Sequence, residues 1–180
     1  MELLNPLISE YTWANKPSVA PLGQIICVTD VGENGILCRG DGTNWKRMSH
    51  ITYYSLSGTV SLTGTTTETT LLTIPIKGGL MGLRGRLNAA SFFSLTNNAN
   101  VKTLRAKIGA NTIASATPIN QNVTGFHFWL LNLNSNTSQR NNNAASFSID
   151  TTVSMDLIIT GQLANAADSM TLSTLTLELI

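Results

Sequence analysis

The sequence predicts an all-β protein: an eight-stranded antiparallel jelly-roll sandwich preceded by an extended arm and a small β-hairpin module. Short apolar runs recur between clusters of turn-forming residues, at roughly the 8–12-residue spacing typical of sandwiches, barrels and jelly rolls. Helical periodicity is nearly absent. Hydrophobic residues make up 42% of the 180 residues and charged residues only 12%, so the chain can bury a sizeable core.

The sequence of residues 1–22 predicts an extended N-terminal arm. Pro6, Pro17 and Pro21 prevent a long helix in this segment. The apolar side chains among these prolines need a surface to cover them, either on a neighbouring molecule or on the chain's own domain. The candidate assembly residues of the arm are Leu3, Leu4, Leu7, Ile8, Tyr11 and Trp13.

Residues 23–57 predict a small β-hairpin attachment module. Two matching apolar runs, IICV at 25–28 and ILCR at 36–39, flank a segment rich in turn formers. The dipeptide Asp41-Gly42 predicts a further tight turn, because glycine accepts a positive φ. A hairpin would bring Cys27 and Cys38 near each other. Two reduced thiols are the ordinary interpretation, and a disulfide is the alternative.

Residues 58–180 predict the jelly-roll domain, with the Ser/Thr/Gly tract at 57–67 as its boundary. Alternation of apolar and polar residues within 101–108 and 170–180 is typical of half-buried antiparallel strands. The eight predicted strand runs lie at 70–76, 83–95, 101–108, 112–116, 123–133, 145–149, 153–160 and 170–180.

The basic residues are unevenly distributed. Between Thr69 and Ile149 the chain has seven basic residues and no acidic one. Scattered surface charges usually only solubilise an outer face, yet a merged patch would favour an anionic partner: an acidic subunit, lipopolysaccharide or a phosphate backbone. The candidate patch, expected as two same-face pairs on two strands, consists of Arg84, Arg86, Arg105 and Lys107.

Few residues suit catalysis or metal binding, and we predict no catalytic residue, no metal site and no cofactor. Two cysteines and two distant histidines do not have metal-ligand spacing, and no nucleophile or phosphate-binding motif is present. The alternative is a glycan-cleaving enzyme that uses Glu68, Asp150 or Asp156, since carboxylates distant in sequence can pair in space.

Several segments resemble proteins of tailed bacteriophages. PLGQIICVTDVG at 21–32 and GDGTNW at 40–45 resemble a small β-hairpin module of phage and prophage fibre-like proteins. The remainder is similar to a jelly-roll domain of virion proteins from the same phages. The segments that carry this second resemblance are TTET at 66–69, NNANVKTLR at 97–105, Ser138-Gln139 and LIITGQLANAAD at 157–168.

The resemblance implies a non-enzymatic structural protein of the virion surface, made in the bacterial host cytoplasm and forming a homotrimer. We expect an outward-facing capsid decoration or head-fibre protein, anchored on a major capsid or tail protein through its arm and hairpin module. A pI near 7.8 argues against a nucleic-acid partner, and no apolar run is long enough to insert in a membrane. The alternative is a tail-fibre or receptor-binding tip protein that recognises a host surface glycan. Its candidate contacts are Trp129, Asn134, Asn136 and Arg140.

Overall fold

The computed structural model describes residues 8–31, 35–48 and 50–180, and within these ranges it contains fifteen β-strands and no helix. The prediction of an all-β fold is confirmed. The chain divides into two compact units, Met1–Tyr53 and Tyr54–Ile180. The strands are β1 (Ser9–Tyr11), β2 (Ile25–Val28), β3 (Ile36–Gly40), β4 (Trp45–Arg47), β5 (Ile51–Ser55), β6 (Val60–Thr63), β7 (Thr69–Ile76), β8 (Arg86–Leu95), β9 (Lys102–Ile108), β10 (Asn111–Ala116), β11 (Val123–Asn132), β12 (Gln139–Asn141), β13 (Ser146–Phe147), β14 (Met155–Leu163) and β15 (Ser169–Leu179).

The first unit is a four-stranded sheet in the order β1-β2-β3-β4. Strands β2 and β3 form the predicted antiparallel hairpin, and β1 adds to its edge in parallel. The Asp41-Gly42 turn connects β3 to β4. The Asp41 carboxylate accepts hydrogen bonds from the backbone N–H groups of Thr43 and Asn44 at 2.9 and 2.6 Å, and Gly42 supplies a φ of 96°.

The two cysteines lie on opposite faces of this hairpin. Cys38 is directly opposite Ile26, whereas Cys27 is directly opposite Leu37, one position further along the ladder. Successive residues of a strand point to opposite faces, so the two sulfur atoms point away from each other. Both are free thiols, and burial raises the pKa of the Cys38 thiol.

The second unit is a jelly roll of eight strands arranged in two sheets. One sheet has the order β10-β9-β14-β7, and the other contains β11-β8-β15 with β6 paired to β15. Among these eight strands, the first pairs with the last (β6 with β15), the second with the seventh (β7 with β14), the third with the sixth (β8 with β11) and the fourth with the fifth (β9 with β10). This nested antiparallel pairing makes the two Greek keys of a jelly roll. The predicted fold is therefore confirmed.

One of the eight strands differs from the predicted set. The run at 145–149 contains only the two-residue strand β13, which pairs with β12 at the edge of the second sheet. The eighth jelly-roll strand is instead β6, which lies inside the Ser/Thr/Gly tract. Threonine is a good strand former, and Leu62 supplies the buried side chain that fixes the register of β6 against β15.

The core lies between the two sheets and follows the alternation seen in the sequence. In β9, Leu104, Ala106 and Ile108 are buried, while the intervening Arg105 and Lys107 are half-buried on the outer face. On the opposite sheet the inward positions include an aromatic cluster in which the Phe126 ring lies 5.4 Å from that of Phe128 and 6.4 Å from that of Phe93. Such edge-on and tilted pairs add to the stabilisation from burial.

Candidate functional site

The described part of the arm packs on its own unit. Leu3, Leu4 and Leu7 lie outside the described residues, and Ile8 is exposed. Tyr11 ends β1, and its carbonyl accepts a hydrogen bond from the Thr29 N–H at 2.9 Å.

The second aromatic residue of the arm is also held in place. The Trp13 N–H donates to the Asp30 carboxylate at 2.6 Å, and Lys16 Nζ lies 4.0 Å from the centre of the Trp13 ring. Beyond it, the Trp45 indole donates to the Pro17 carbonyl at 2.7 Å. Residues 9–17 are therefore a tethered edge of the first unit.

Two of the predicted patch residues are neutralised on the outer face of the β10-β9-β14-β7 sheet. Glu68 bonds Arg105 Nη1 at 2.9 Å through Oε2, and Lys107 Nζ at 2.6 Å through Oε1. The Thr160 hydroxyl also donates to Glu68, at 2.6 Å. The hydrogen bonds from Lys107 and Thr160 hold the pKa of the Glu68 carboxyl below its ordinary value. Arg105 and Lys107 therefore serve a local ion-pair cluster.

The other two predicted patch residues do not share a strand. Arg84 lies in the turn that precedes β8, and β8 begins at Arg86, so the expected same-face pairing of Arg84 and Arg86 along one strand was wrong. Gly85 separates them, and a Cβ at this position would lie 1.6 Å from the Met81 carbonyl oxygen. Only glycine fits this close backbone approach, in the turn that ends where β8 begins.

Arg86 instead forms a row with Arg140 across three strands. Arg86 on β8 is directly opposite Leu131 on β11, and Leu131 is directly opposite Arg140 on β12. Directly opposite residues share a face, and the neighbouring inward pair Leu87 and Leu130 is buried, so this row points outward. We call the row together with Trp129, which lies two residues before Leu131 on the same face, the arginine–tryptophan face.

The loop after β11 borders this face. Asn134 has a φ of 56°, and its Oδ1 accepts a hydrogen bond from Arg84 Nε at 3.2 Å. Asn136 contributes its backbone, since its carbonyl accepts bonds from Gln139 Nε2 at 3.1 Å and from the Thr151 N–H at 2.9 Å. Of the predicted glycan contacts, the structure thus brings Trp129 and Arg140 onto one face, places Asn134 in contact with Arg84, and gives Asn136 a contact within its own loop.

A buried amide network, which was not among the sites predicted from the sequence, holds this loop. Gln139 Nε2 donates to Asn132 Oδ1 at 3.0 Å, and Gln139 Oε1 accepts the Ile149 N–H at 2.8 Å. Asn132 Nδ2 in turn donates to the Thr151 hydroxyl at 3.0 Å. The sequence does contain a signal for Asn132: it lies two residues after Leu130 and four after Phe128, so its side chain points to the same buried face of β11.

A buried ion pair joins the two longest segments that carry the jelly-roll resemblance. Lys102 and Asp168 are 1% and 3% exposed, and Lys102 Nζ lies 3.6 Å from Asp168 Oδ2. Asn98 and Asn100 donate to the same carboxylate at 2.7 and 3.0 Å, and Lys102 also donates to Asn98 Oδ1. The bond from Asn98, followed by those from Asn100 and the charge of Lys102, lowers the pKa of Asp168. The sequence signal was the position of Lys102 two residues before Leu104, which places both side chains on the inward face of β9.

The remaining acidic candidates line an open groove of about 380 Å³ beside the β9–β10 turn. Asp150 accepts hydrogen bonds from its neighbour Thr152, which lower the pKa of its carboxyl, and Asp156 lies on β14. Among the described residues, no group of three or more His, Cys, Asp or Glu side chains is arranged to hold a metal ion, and no helix could span a membrane.

No protein-family model and no curated protein sequence matches this chain. Among solved structures it is similar to the VP2 subviral particle of infectious bursal disease virus, at 11% identity and a TM-score of 0.42, over 91% of this chain and 41% of that one. It is also similar to dimeric latent PorU from Porphyromonas gingivalis, at 10% identity and a TM-score of 0.36, over 72% of this chain and 13% of that one. The chain spans less than half the length of either protein. The fold assignment rests on the strand pairing described above.

Proposed function

We propose that the protein is a non-enzymatic structural component of a tailed-phage virion: an outward-facing capsid decoration or head-fibre protein, anchored through its arm and hairpin unit. The observation that carries this proposal is the eight-stranded jelly roll, formed by the part of the chain that resembles phage jelly-roll domains. A fold alone does not define a function, so the contacts of the polar residues matter as well.

The contacts of the acidic residues support a structural role. Glu68 bonds Arg105 and Lys107, and Asp168 bonds the Asn98, Asn100 and Lys102 cluster. Depressed carboxyl pKa values at these positions favour fixed charges, whereas a general acid needs a raised pKa. Glu68 and Asp168 therefore stabilise the sandwich and its loops.

The alternative is a tail-fibre or receptor-binding tip protein. Under either proposal we expect a homotrimer, as the resemblance to phage virion proteins implies, and several copies would also increase avidity. The two alternatives differ in where the protein lies on the particle and in which virion protein it contacts, the major capsid protein or a tail protein.

Location on the virion tests the proposal directly. Particles labelled with a gold-conjugated antibody to this chain should carry label over the head. Label at the tail tip would favour the alternative, and particles without label would refute both. Light scattering coupled to gel filtration should give three times the chain mass of 19.3 kDa, and a monomer would contradict the trimer. Loss of a glycan-cleaving activity in Glu68→Gln or Asp156→Asn would refute the non-enzymatic role.

A further inference from the structure

We propose that the arginine–tryptophan face binds an acidic glycan, with its arginines on the carboxylate or phosphate groups and Trp129 against a sugar ring. The ligand class goes beyond the proposed virion role, and it applies whether the protein lies on the head or on the tail. Two guanidinium groups leave the same sheet face from strands β8 and β12, which flank β11. At a strand spacing of about 4.8 Å, their Cα atoms lie about 10 Å apart, a span that one or two sugar rings can bridge.

The charge of this face is unbalanced. No carboxylate among the described residues pairs with Arg84, Arg86 or Arg140, in contrast to Arg105, which Glu68 neutralises. The neighbouring row contains one acid, Glu178, which accepts a hydrogen bond from Asn88 Nδ2 at 3.1 Å. The three arginines therefore present more positive charge than their protein surroundings compensate.

Arg86 has an additional free donor. Its Nε is buried and has no hydrogen-bond partner among the described residues, while the side chain as a whole is only half-buried. A buried donor without a partner is costly, and bonds from an oxyanion to the less buried Nη groups of the same guanidinium would partly offset that cost. The guanidinium fork of arginine matches the two oxygens of a carboxylate or phosphate group, and such charge-assisted bonds are the strong ones.

Trp129 provides the apolar part of the face. Its indole is half-buried on the row next to the arginines, and its N–H donates to none of the described residues. Tryptophan presents a large apolar surface and one polar donor, a combination suited to a sugar ring with its hydroxyl groups. At the loop edge, the Asn134 amide fixes Arg84 through Oδ1 and leaves its Nδ2 as a further donor.

The charge distribution favours a glycan over duplex nucleic acid. Duplex nucleic acid is bound by many phosphate contacts, whereas this face has two arginines, with Arg84 beside the bordering loop, on a chain of net charge +1. A second copy of the chain would have to present exposed carboxylates such as Asp150 and Asp156 to this face, and the oligomeric mass of Arg140→Ala tests that occupant.

Isothermal titration of the full-length protein with matched glycan pairs tests the proposal. The pairs are sialyllactose and lactose, oligogalacturonate and its methyl ester, and a phosphorylated core oligosaccharide before and after phosphatase treatment. We expect at least one acidic member to bind more tightly than its neutral match, and the responding pair distinguishes carboxylate from phosphate. Arg140→Ala and Trp129→Leu should each weaken that binding about 10- to 100-fold. Arg39→Ala, an exposed arginine of the first unit, should leave it unchanged.

Four results would overturn the proposal. Two concern the glycan itself: no acidic probe binds more tightly than its neutral match, or both variants bind with unchanged Kd values. The other two concern other occupants: duplex DNA competes with equal strength, or the oligomeric mass of Arg140→Ala changes, which would make the face a contact between copies. The location experiment is independent of these outcomes: Arg140→Ala should still be incorporated into virions, so a failure of glycan binding and a failure of the virion role remain distinguishable.

Discussion

Replacing Gln139 by leucine tests whether the buried amide network holds the loop beside the arginine–tryptophan face. Leucine has nearly the same size but cannot hydrogen-bond, so two buried groups lose the partner described above, the Ile149 N–H and Asn132 Oδ1. Each buried unsatisfied group costs about 1–3 kcal/mol, which gives about 2–6 kcal/mol. The apolar gain of the buried leucine offsets about 1.5–2 kcal/mol, so we expect a net loss of about 2 kcal/mol, within a range of about 0–4.5 kcal/mol.

Urea denaturation followed by far-UV circular dichroism measures this loss. The matched control is Arg140→Leu, which introduces the same side chain at the next residue of β12, where the native side chain is exposed. We expect this control to change stability by less than about 0.5 kcal/mol, as surface substitutions usually do. Hydrogen exchange should show faster opening at the Ile149 amide in Gln139→Leu only. Equal stability of the two variants would refute the argument that the amide network holds the loop.

Three further predictions concern other parts of the structure. The pKa of Glu68 is lower in the folded state than in the unfolded chain, so Glu68 contributes its full stabilisation of the fold above its unfolded pKa of about 4.5. That stabilisation is lost as the pH falls through the folded pKa. Glu68→Gln should therefore flatten the acid side of a curve of unfolding free energy against pH, and parallel curves for the two proteins would contradict this. Gly161→Ala would place a Cβ 2.7 Å from the Met170 sulfur inside the sandwich, so we expect thermal unfolding to show a loss of about 1–3 kcal/mol in the free energy of unfolding. The control Gly125→Ala, whose new Cβ would have no neighbour closer than 3.5 Å, should leave the free energy of unfolding nearly unchanged. Iodoacetamide should alkylate Cys27 in the native protein and reach Cys38 only after denaturation, because the Cys38 thiol is fully buried and its pKa is raised. Mass spectrometry measures the two labelling rates, and equal rates would show that the hairpin opens.

The strands were predictable where one face of a strand is buried and the other is not. In β9 and β15 the side chains alternate between core and outer face, so the sequence itself has a period of two. The tract at 57–67 lacks this contrast, because its outward and inward positions are mostly Ser, Thr and Gly. Strand β6 was therefore missed: its place is fixed by pairing with β15, and that partner lies more than one hundred residues away.

Side-chain partners were not predictable, because they depend on which strands become neighbours. Arg105 and Glu68 are 37 residues apart in the sequence, and Asn98 and Asp168 are 70 apart. Short-range patterns indicate which residues face inward, but they do not indicate which inward or outward residues meet. The inward phase of Lys102 could have shown that it is buried, although the identity of its carboxylate partner follows only from the fold.

The pairing explains the excess of basic residues between Thr69 and Ile149. Both acids that neutralise it lie outside this stretch: Glu68 bonds Arg105 and Lys107, and Asp168 bonds Lys102. Antiparallel pairing of β9 with β14 lets carboxylates from either side of the stretch reach the basic residues of β9. Three of the seven basic residues are therefore balanced within the β10-β9-β14-β7 sheet and its loops. Since Arg84, Arg86 and Arg140 have no such acid among the described residues, an anionic ligand should bind the opposite sheet, and Glu68→Gln should leave its affinity unchanged.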